Sequence, residues 1–330
     1  MTTRVLHVGL GPIGAAVVCQ LVKRPQFRVV GAVDIDPAKA GRDVGEICGI
    51  GRALRVKVSA DLASTIKASR PDVAVLCTGS SLEGVLPLFK AVLKFKVPIV
   101  STTEELAYPV KDRADAARTL DRLAKRAGVA VFGTGINPGF MMDALPIALT
   151  AVSEGVSAIE IDRIQDARIR RLPFQQKIGA GLTRAEFLAG VADGSVRHVG
   201  LAESITMIAD AMGWTLDRIT ETVAPKIAAE AVSSQFLSVP RGRVAGIIQD
   251  GIGYVQGRAL IKLHMEAYLG APETYDAVRI SGNPPLTMKV TGVHGDICTA
   301  AMVVNSIPKV RQAAPGLQTM RDLALPSFAG

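Results

Sequence analysis

The chain has 330 residues, 48% of them hydrophobic and 21% charged, with a formal net charge of +8. This balance suits two globular domains and excludes a disordered chain. No run of about 20 apolar residues lacks charges or breakers, which argues against a membrane-spanning helix, and the basic excess is not grouped into a nucleic-acid footprint.

The first half alternates short β-branched runs with helical patterns. Arg4–Gly9 reads as a strand and Pro12–Arg24 as a helix. Arg28–Asp34 is a nearly continuous apolar strand, as burial on both sheet faces requires. Leu54–Ser59, Asp72–Cys77, Val97–Ser101 and Val129–Gly133 follow as strands, with helices over Leu82–Lys94 and Lys111–Ala127. Strand–helix alternation of this kind predicts a parallel, doubly wound α/β sheet, a Rossmann domain over residues 1–141. Aromatic residues are only 4%, so the core is built of Ala, Val, Leu and Ile.

The rhythm changes near residue 141. Met141–Val152 reads as helical and Ser157–Ala167 as a strand, followed by a basic segment from Arg168 to Lys177. Thr183–Val191 carries a capping box, Thr183 with Glu186. His198–Met212 is a further helix. Gln235–Val239, Arg243–Tyr254, Ala259–Ala267 and Asp276–Ser281 read as strands of an antiparallel sheet, and Cys298–Val310 as a last helix. The second domain, 142–296, is therefore expected to be α+β with an open mixed or antiparallel sheet.

Gly9-Leu-Gly11-Pro12-Ile13-Gly14 is a GxGxxG pattern between a strand and a helix at the start of the chain. Gly9 allows the tight turn, Gly11 lets a pyrophosphate approach the backbone, and Gly14 lets helix and strand pack closely. Pro12 and Ile13 open the helix, whose N-terminus attracts phosphate. Asp34 ends the second strand 20 residues after Gly14, where a carboxylate bonds the ribose hydroxyls and repels a 2′-phosphate. It favours NAD(H), while the nearby Lys39 and Arg42 leave NADP(H) possible.

Ligands of open parallel sheets bind beyond the carboxyl ends of the strands. Three such ends hold candidate residues: Thr78, Gly79 and Ser80; Glu104 and Glu105; and the glycine-rich stretch 133–139 with Asn137, a donor for a carboxamide or simply a turn residue before Pro138. The two glutamates are the only carboxylates in these segments. If the strand continues, their side chains point to opposite faces and only one meets the cleft. Such a carboxylate can hold an ammonium and move protons, or it can cap the following turn. The four cysteines and four histidines show no metal-ligand spacing, so no metal is expected, and a reducing compartment suits the free thiols. The opening MTTRVLHV reads as a strand rather than a targeting segment, and a cytoplasmic location is expected.

The segments VGLGPIG (8–14), CTGS (77–80), STTEEL (101–106), GTGINPGF (133–140), RRLPFQQKIGAG (170–181), HMEAYLGA (264–271), GVHGD (292–296) and PGLQTMRDLALP (315–326) together resemble the native amine dehydrogenase and 2,4-diaminopentanoate dehydrogenase family. That family is similar to dihydrodipicolinate reductase in its N-terminal domain. The chain departs from that reductase itself in having no adjacent His-His pair and no Lys-x-x-x-Pro-Ser-Gly-Thr stretch.

The resemblance implies NAD(P)-dependent oxidative deamination of a primary amine, reversible as reductive amination of a ketone or aldehyde with ammonia. It places the essential carboxylate at Glu104, with Glu105 as the alternative. It also implies a homodimer formed through the second domain and a C-terminal segment, 297–330, that packs back on the Rossmann domain. Phe140, Met141, Arg168 and Phe174 are the candidate substrate-pocket residues, apolar for an alkyl amine and cationic for a diamino acid. A diamino-acid dehydrogenase and a non-catalytic NAD(P) sensor are the competing expectations.

Overall fold

Strand β1 (Thr3–Val8) buries Val5 and Leu6 completely, as a central parallel strand must. The computed structural model that contains it describes residues 2–329. The chain divides into two units, Met1–Phe140 with Asp296–Gly330, and Met141–Gly295.

In the first unit β1 leads to helix α1 (Pro12–Leu21), then β2 (Phe27–Val33), α2 (Val44–Ile47), β3 (Val58–Ser59), α3 (Leu62–Ser69), β4 (Val73–Leu76), α4 (Leu82–Leu93), β5 (Ile99–Ser101), α5 (Glu104–Ala107), α6 (Ala114–Ala127) and β6 (Ala130–Gly133). Three of the helix starts have a local cause. Pro opens α1 where its missing N–H costs nothing. The side chains of Asp61 and Ser81 accept from Ser64 and Gly84 N–H and cap α3 and α4. Helix α6 ends at Gly128, whose φ of 73° ordinary residues avoid. The apolar faces of α4 and α6, with Phe89, Val92 and Leu120 fully buried, pack with β1, β4, β5 and β6 into one core cluster.

The second unit begins with α7 (Ala144–Leu149) and β7 (Gly155–Asp166). It continues through α8 (Leu172–Lys177), α9 (Arg184–Ala192), α10 (Leu201–Ala211), β8 (Arg218–Ile227), the short ribbon β9 (Val232–Ser233) and β10 (Ser238–Val239), and the long strands β11 (Val244–Val255), β12 (Arg258–Tyr268), β13 (Tyr275–Asn283) and β14 (Leu286–Thr291). The six-stranded sheet runs β14-β13-β7-β12-β11-β8. It is mixed: β7 and β12 are parallel, and the other neighbours are antiparallel. Helix α9 carries the capping box of Thr183 and Glu186.

The chain returns to the first unit through α11 (Gly295–Val310) and ends in β15 (Gly316–Gln318), which pairs in parallel with β6. The completed seven-stranded sheet is parallel throughout, in the order β15-β6-β5-β4-β1-β2-β3. The strand order reverses between β1 and β4, and this places the crevice at the carboxyl ends of those two strands.

Several elements differ from the sequence expectations. The strand expected over Gln235–Val239 shrinks to Ser238–Val239, paired only with Val232–Ser233. Helix α10 starts at Leu201 rather than His198. Strands β8 and β14 were not anticipated. Both lie at sheet edges; β8 has no buried residue and no apolar alternation, whereas β14 alternates Leu286, Met288 and Val290 with Thr287, Lys289 and Thr291, a signal that the sequence reading passed over. The glutamate pair does not continue a strand but opens a helical turn.

Candidate functional site

The glycine-rich loop joins β1 to α1 as its spacing requires. Gly9 has φ of 88° and lies against the Cys77 carbonyl at the end of β4. A Cβ on Gly14 would strike the Gly9 carbonyl and stand 2.8 Å from Nε2 of His7, whereas a Cβ on Gly11 would meet nothing within 4 Å. The space above Gly11 is therefore open, and beside it lie the unpaired N–H groups of the α1 terminus, an anion cradle. Pro12 is exposed and Ile13 half-buried at its rim.

His7, fully buried beneath this loop, places Nε2 3.0 Å from the Gly9 carbonyl oxygen. Burial pushes its pKa down to about 4, despite the backbone hydrogen bond and the nearby Asp34 charge. It is neutral at pH 7, and its Nε2–H donates to Gly9. Sequence reasoning did not connect His7 with the loop.

Asp34 stands at the end of β2. Its Oδ2 accepts from Leu10 N–H at 2.7 Å, within the glycine-rich loop, and from Lys39 Nζ at 3.0 Å; Oδ1 accepts from Asp36 N–H at 2.9 Å. Burial alone would raise its carboxyl, but the two backbone donors and Lys39 outweigh this and hold it below its ordinary value. Ile35, the next residue, is 94% exposed. A bare aliphatic side chain beside a ribose-type carboxylate offers a face for a flat base. Sequence reasoning passed over it, although its place directly after Asp34 was the available signal.

The other strand ends meet around β4 and β5. Thr78 and Gly79 are exposed and Ser80 half-buried, and the Ser80 carbonyl accepts from Glu105 N–H at 3.2 Å. Thr103 precedes α5, so Glu104 and Glu105 occupy its first turn. The two carboxylates then part. Glu105 is 7% exposed; its Oε2 accepts from Leu82 N–H at 2.8 Å, and Oε1 lies 2.8 Å from Arg113 Nη2. Burial would raise it, but Arg113, the Leu82 N–H and Ser81 together hold it below the ordinary carboxylate value. Glu105 thus braces α5 against the start of α4. Glu104 is half-buried. Asn137 is half-buried in a loop where Ile136 N–H donates to Thr299 Oγ1 at 3.4 Å. The structure brings the loop, Asp34, Thr78–Ser80, both glutamates and Asn137 to the same edge of the parallel sheet.

In the second unit Arg168 is exposed and held by Asp166, with Nη2 2.6 Å from Oδ2. Its neighbour Arg170 is the buried one, its guanidinium 4.0 Å above the Phe174 ring. Phe174 is itself buried in an apolar cluster with Ile178, Phe187 and Met265, and Met141 is 3% exposed. Phe140 is half-buried at the end of the first unit. Sequence reasoning missed a second buried cation, Arg163, which lies on β7 with a side-chain exposure of 2% and is ion-paired to Asp276 on β13. Its signal was a single Arg inside the alternating apolar pattern of β7. Among the described residues no group of three or more His, Cys, Asp or Glu could hold a metal ion, and no helix is long and apolar enough to cross a membrane.

Comparison with known proteins matches two family models to the chain. Residues 3–130 match the N-terminus of dihydrodipicolinate reductase, and residues 140–329 match the C-terminal domain of 2,4-diaminopentanoate dehydrogenase. The 2,4-diaminopentanoate dehydrogenase of Acetoanaerobium sticklandii is 35% identical, over 98% of this chain and 94% of that protein. The amine dehydrogenase of Streptomyces virginiae is 22% identical over 96% and 95%. The solved amine dehydrogenase of Mycobacterium smegmatis shares the fold with a TM-score of 0.90, at 24% identity, covering 100% of this chain and 98% of that one. A nucleotide-type crevice on the first unit, a mixed-sheet second unit and a full-length relative at this identity converge: the chain belongs to the 2,4-diaminopentanoate dehydrogenase family, oxidoreductases acting on amino-group compounds.

Proposed function

We propose that the chain is an NAD(P)-dependent amine dehydrogenase that converts a primary amine to a ketone or aldehyde and ammonia, and the reverse. The observation that carries the reading is the division between the two glutamates. Glu105 is committed to Leu82 and Arg113, so Glu104, at the same strand end, is the carboxylate assigned to the reaction. The cradle fits a dinucleotide: open space over Gly11, a helix N-terminus beside it, and Asp34 at hydrogen-bond reach of a ribose. A bound nicotinamide accepts the hydride in deamination and supplies it in amination.

The chain's own groups do the rest. Asp34 accepts the ribose hydroxyls, which favours NAD(H), and Lys39 beside it leaves NADP(H) accessible. Ile35 would offer its exposed apolar face to the adenine, and Thr78, Gly79, Ser80 and Asn137 would line the cofactor's path. Glu104 takes a proton from the substrate ammonium and passes it to solvent, and as a carboxylate it stabilises the iminium that loss of hydride leaves. It then takes a proton from the water whose oxygen adds to that carbon and gives one to the nitrogen, so that the carbon–nitrogen bond breaks as ammonia leaves and the carbonyl forms. Phe140, Met141, Arg168 and Phe174 stand as the pocket residues. Of these, Arg168 is already bound to Asp166, so it supplies a weaker cation than the sequence suggested.

A second copy of the chain is the proposed partner, paired through the outward face of the six-stranded sheet, and sedimentation velocity tests this. The proposed location is the cytoplasm. A second reading, a dehydrogenase of a diamino acid, is favoured by the 35% identical relative, whose name is that activity.

The test follows NAD(P)H absorbance with a panel of ketones and aldehydes, with and without ammonium, for the wild type and Glu104→Ala. Ammonium-dependent oxidation that disappears in the variant supports the reading. Oxidation that needs no ammonium rejects it.

A further inference from the structure

The last residues of the chain reach the turn that carries Glu104. Helix α5 is a single turn, and a helix of that length does not hold itself in water. At its start Thr103 gives no side-chain cap, and the Thr103 N–H donates to Ser101 Oγ at 3.1 Å. Against it lies Gly133, at the end of β6. A Cβ there would stand 2.6 Å from the Leu106 carbonyl carbon and 2.9 Å from the Ala107 nitrogen, so strand and turn meet backbone to backbone. Glu105 ties one flank to Leu82 and Arg113. At the end of the turn the half-buried Tyr108 accepts at its hydroxyl oxygen from Arg321 Nη1, 3.0 Å away in space and 213 positions away in sequence.

The backbone that delivers Arg321 is anchored before it arrives. β15 pairs with β6, Gly316 N–H donates to the Val129 carbonyl at 3.1 Å, and Leu317 N–H donates to Asp121 Oδ1 at 3.0 Å. Met320 is 4% exposed, and its sulfur accepts from Thr134 Oγ1 at 3.6 Å, one residue after Gly133. The chain then turns back on itself. The N–H and hydroxyl of Thr319 donate to Asp322 Oδ2, each at 2.7 Å, and Arg321 N–H donates to Thr319 Oγ1 at 3.2 Å. One segment thus touches both sides of the meeting of β6 and α5, at Thr134 and at Tyr108. Closing the sheet edge accounts for Leu317 and Met320. It does not account for Arg321, which is exposed, since a single exposed hydrogen bond adds little to global stability.

We propose that Arg321 is a positioning residue: through Tyr108 it holds the end of α5 against β6 and so fixes where Glu104 stands. The catalytic meaning of this strap rests on the amine dehydrogenase reading, whereas the strap itself does not. Its value lies in placement rather than in folding. A one-turn helix released at its end opens locally while the sheet beneath it stays folded. A reacting group misplaced by about 1 Å loses up to about a hundredfold in rate, so a contact that hardly moves the melting temperature still governs turnover.

Hydrogen exchange and kinetics are measured on the wild type, Arg321→Met, Arg321→Lys, Tyr108→Phe and the double variant Arg321→Met/Tyr108→Phe. All are expected to melt with the wild type and to bind NADH with its affinity. In Arg321→Met the amides of residues 104–108 are expected to exchange about fivefold faster, while those of β1 and β4 keep their rates. In ammonium-dependent NADH oxidation kcat is expected to fall about tenfold with the KM for NADH unchanged. The double variant should lose no more than either single one, and Arg321→Lys should recover most of the loss. Unchanged exchange at residues 104–108 overturns the strap. Faster exchange with unchanged kcat overturns the positioning role, as does a general rise in exchange with a lowered melting temperature, which marks a structural contact. Wild type that shows no ammonium-dependent oxidation overturns the amine dehydrogenase reading instead, and the exchange data then uphold or overturn the strap without it.

Discussion

The backbone N–H of Leu82 donates to Oε2 of Glu105 at 2.8 Å, and the same carboxylate meets Arg113 at 2.8 Å through its other oxygen. Glu105 thus closes the start of α4 against α5. Replacing it by Ala leaves a helix N–H and a guanidinium short of a partner, with an expected loss of about 2–4 kcal/mol. Urea unfolding reads this directly. Glu104→Gln, which keeps the side chain's length and shape, is expected to cost less stability than Glu105→Ala and to remove turnover. Equal destabilisation by both substitutions would reject the division of roles.

Gly11 and Gly14 separate cofactor space from packing space. A Cβ at Gly14 strikes the Gly9 carbonyl and crowds His7, so Gly14→Ala is expected to lower the melting temperature as well as NADH affinity. A Cβ at Gly11 meets no protein atom within 4 Å. Gly11→Ala is therefore expected to melt like the wild type while losing about tenfold or more in NADH affinity, equivalent to about 1.4 kcal/mol. Fluorescence titration of NADH alongside thermal melts distinguishes the two; a Gly11→Ala variant with unchanged NADH affinity would place the pyrophosphate elsewhere.

The parallel sheet was legible because its strands are apolar runs and its turns carry glycine at fixed spacing. β15 was not, because Gly316–Gln318 is three residues long and becomes a strand only by pairing with β6. Strand β8, Arg218–Ile227, was hidden for a related reason: an edge strand with water on its faces needs no alternation. At the site, the loop and Asp34 followed from local pattern. The contrast between Glu104 and Glu105 did not, since it depends on Arg113 and Leu82, which come together only through the fold. The Arg163–Asp276 pair joins residues 113 positions apart, a distance no local pattern spans.

Lys39 Nζ lies 3.0 Å from Asp34 Oδ2, so the carboxylate proposed for the ribose and the cation proposed for a 2′-phosphate are already partners. Asp34→Ala is expected to weaken NADH by about tenfold and NADPH much less, because charged hydrogen bonds to ribose contribute about 1.5–3 kcal/mol. Lys39→Ala is expected to widen the preference for NADH. Cofactor titrations of both variants check this, and a preference for NADPH in the Lys39→Ala protein would overturn it. The Asp34 carboxyl is held below its ordinary value of 3.8, so its contribution is complete above that value and is lost only as pH falls through the lowered one. NADH affinity should then show no carboxylate titration between about pH 5 and 9.

His7 gives the fold a different acid limit. Burial lowers it from 6.5 to about 4, so the folded protein resists a proton that the unfolded chain accepts. Between those two values the unfolded state binds more protons, and stability falls with pH; above 6.5 both states are neutral and the contribution is complete. One such group changes stability by up to about 1.4 kcal/mol per pH unit, on the order of 3 kcal/mol across the window. His7→Gln keeps a donor for the Gly9 carbonyl but carries no titrating proton. Urea midpoints from pH 7.5 down to 4.5 should therefore converge for the two proteins as pH falls, whatever the surface carboxylates do in common. Parallel curves would mean that His7 takes up its proton in the folded state. NADH affinity should stay level over the same window, because His7 in the folded protein remains neutral until the pH approaches about 4.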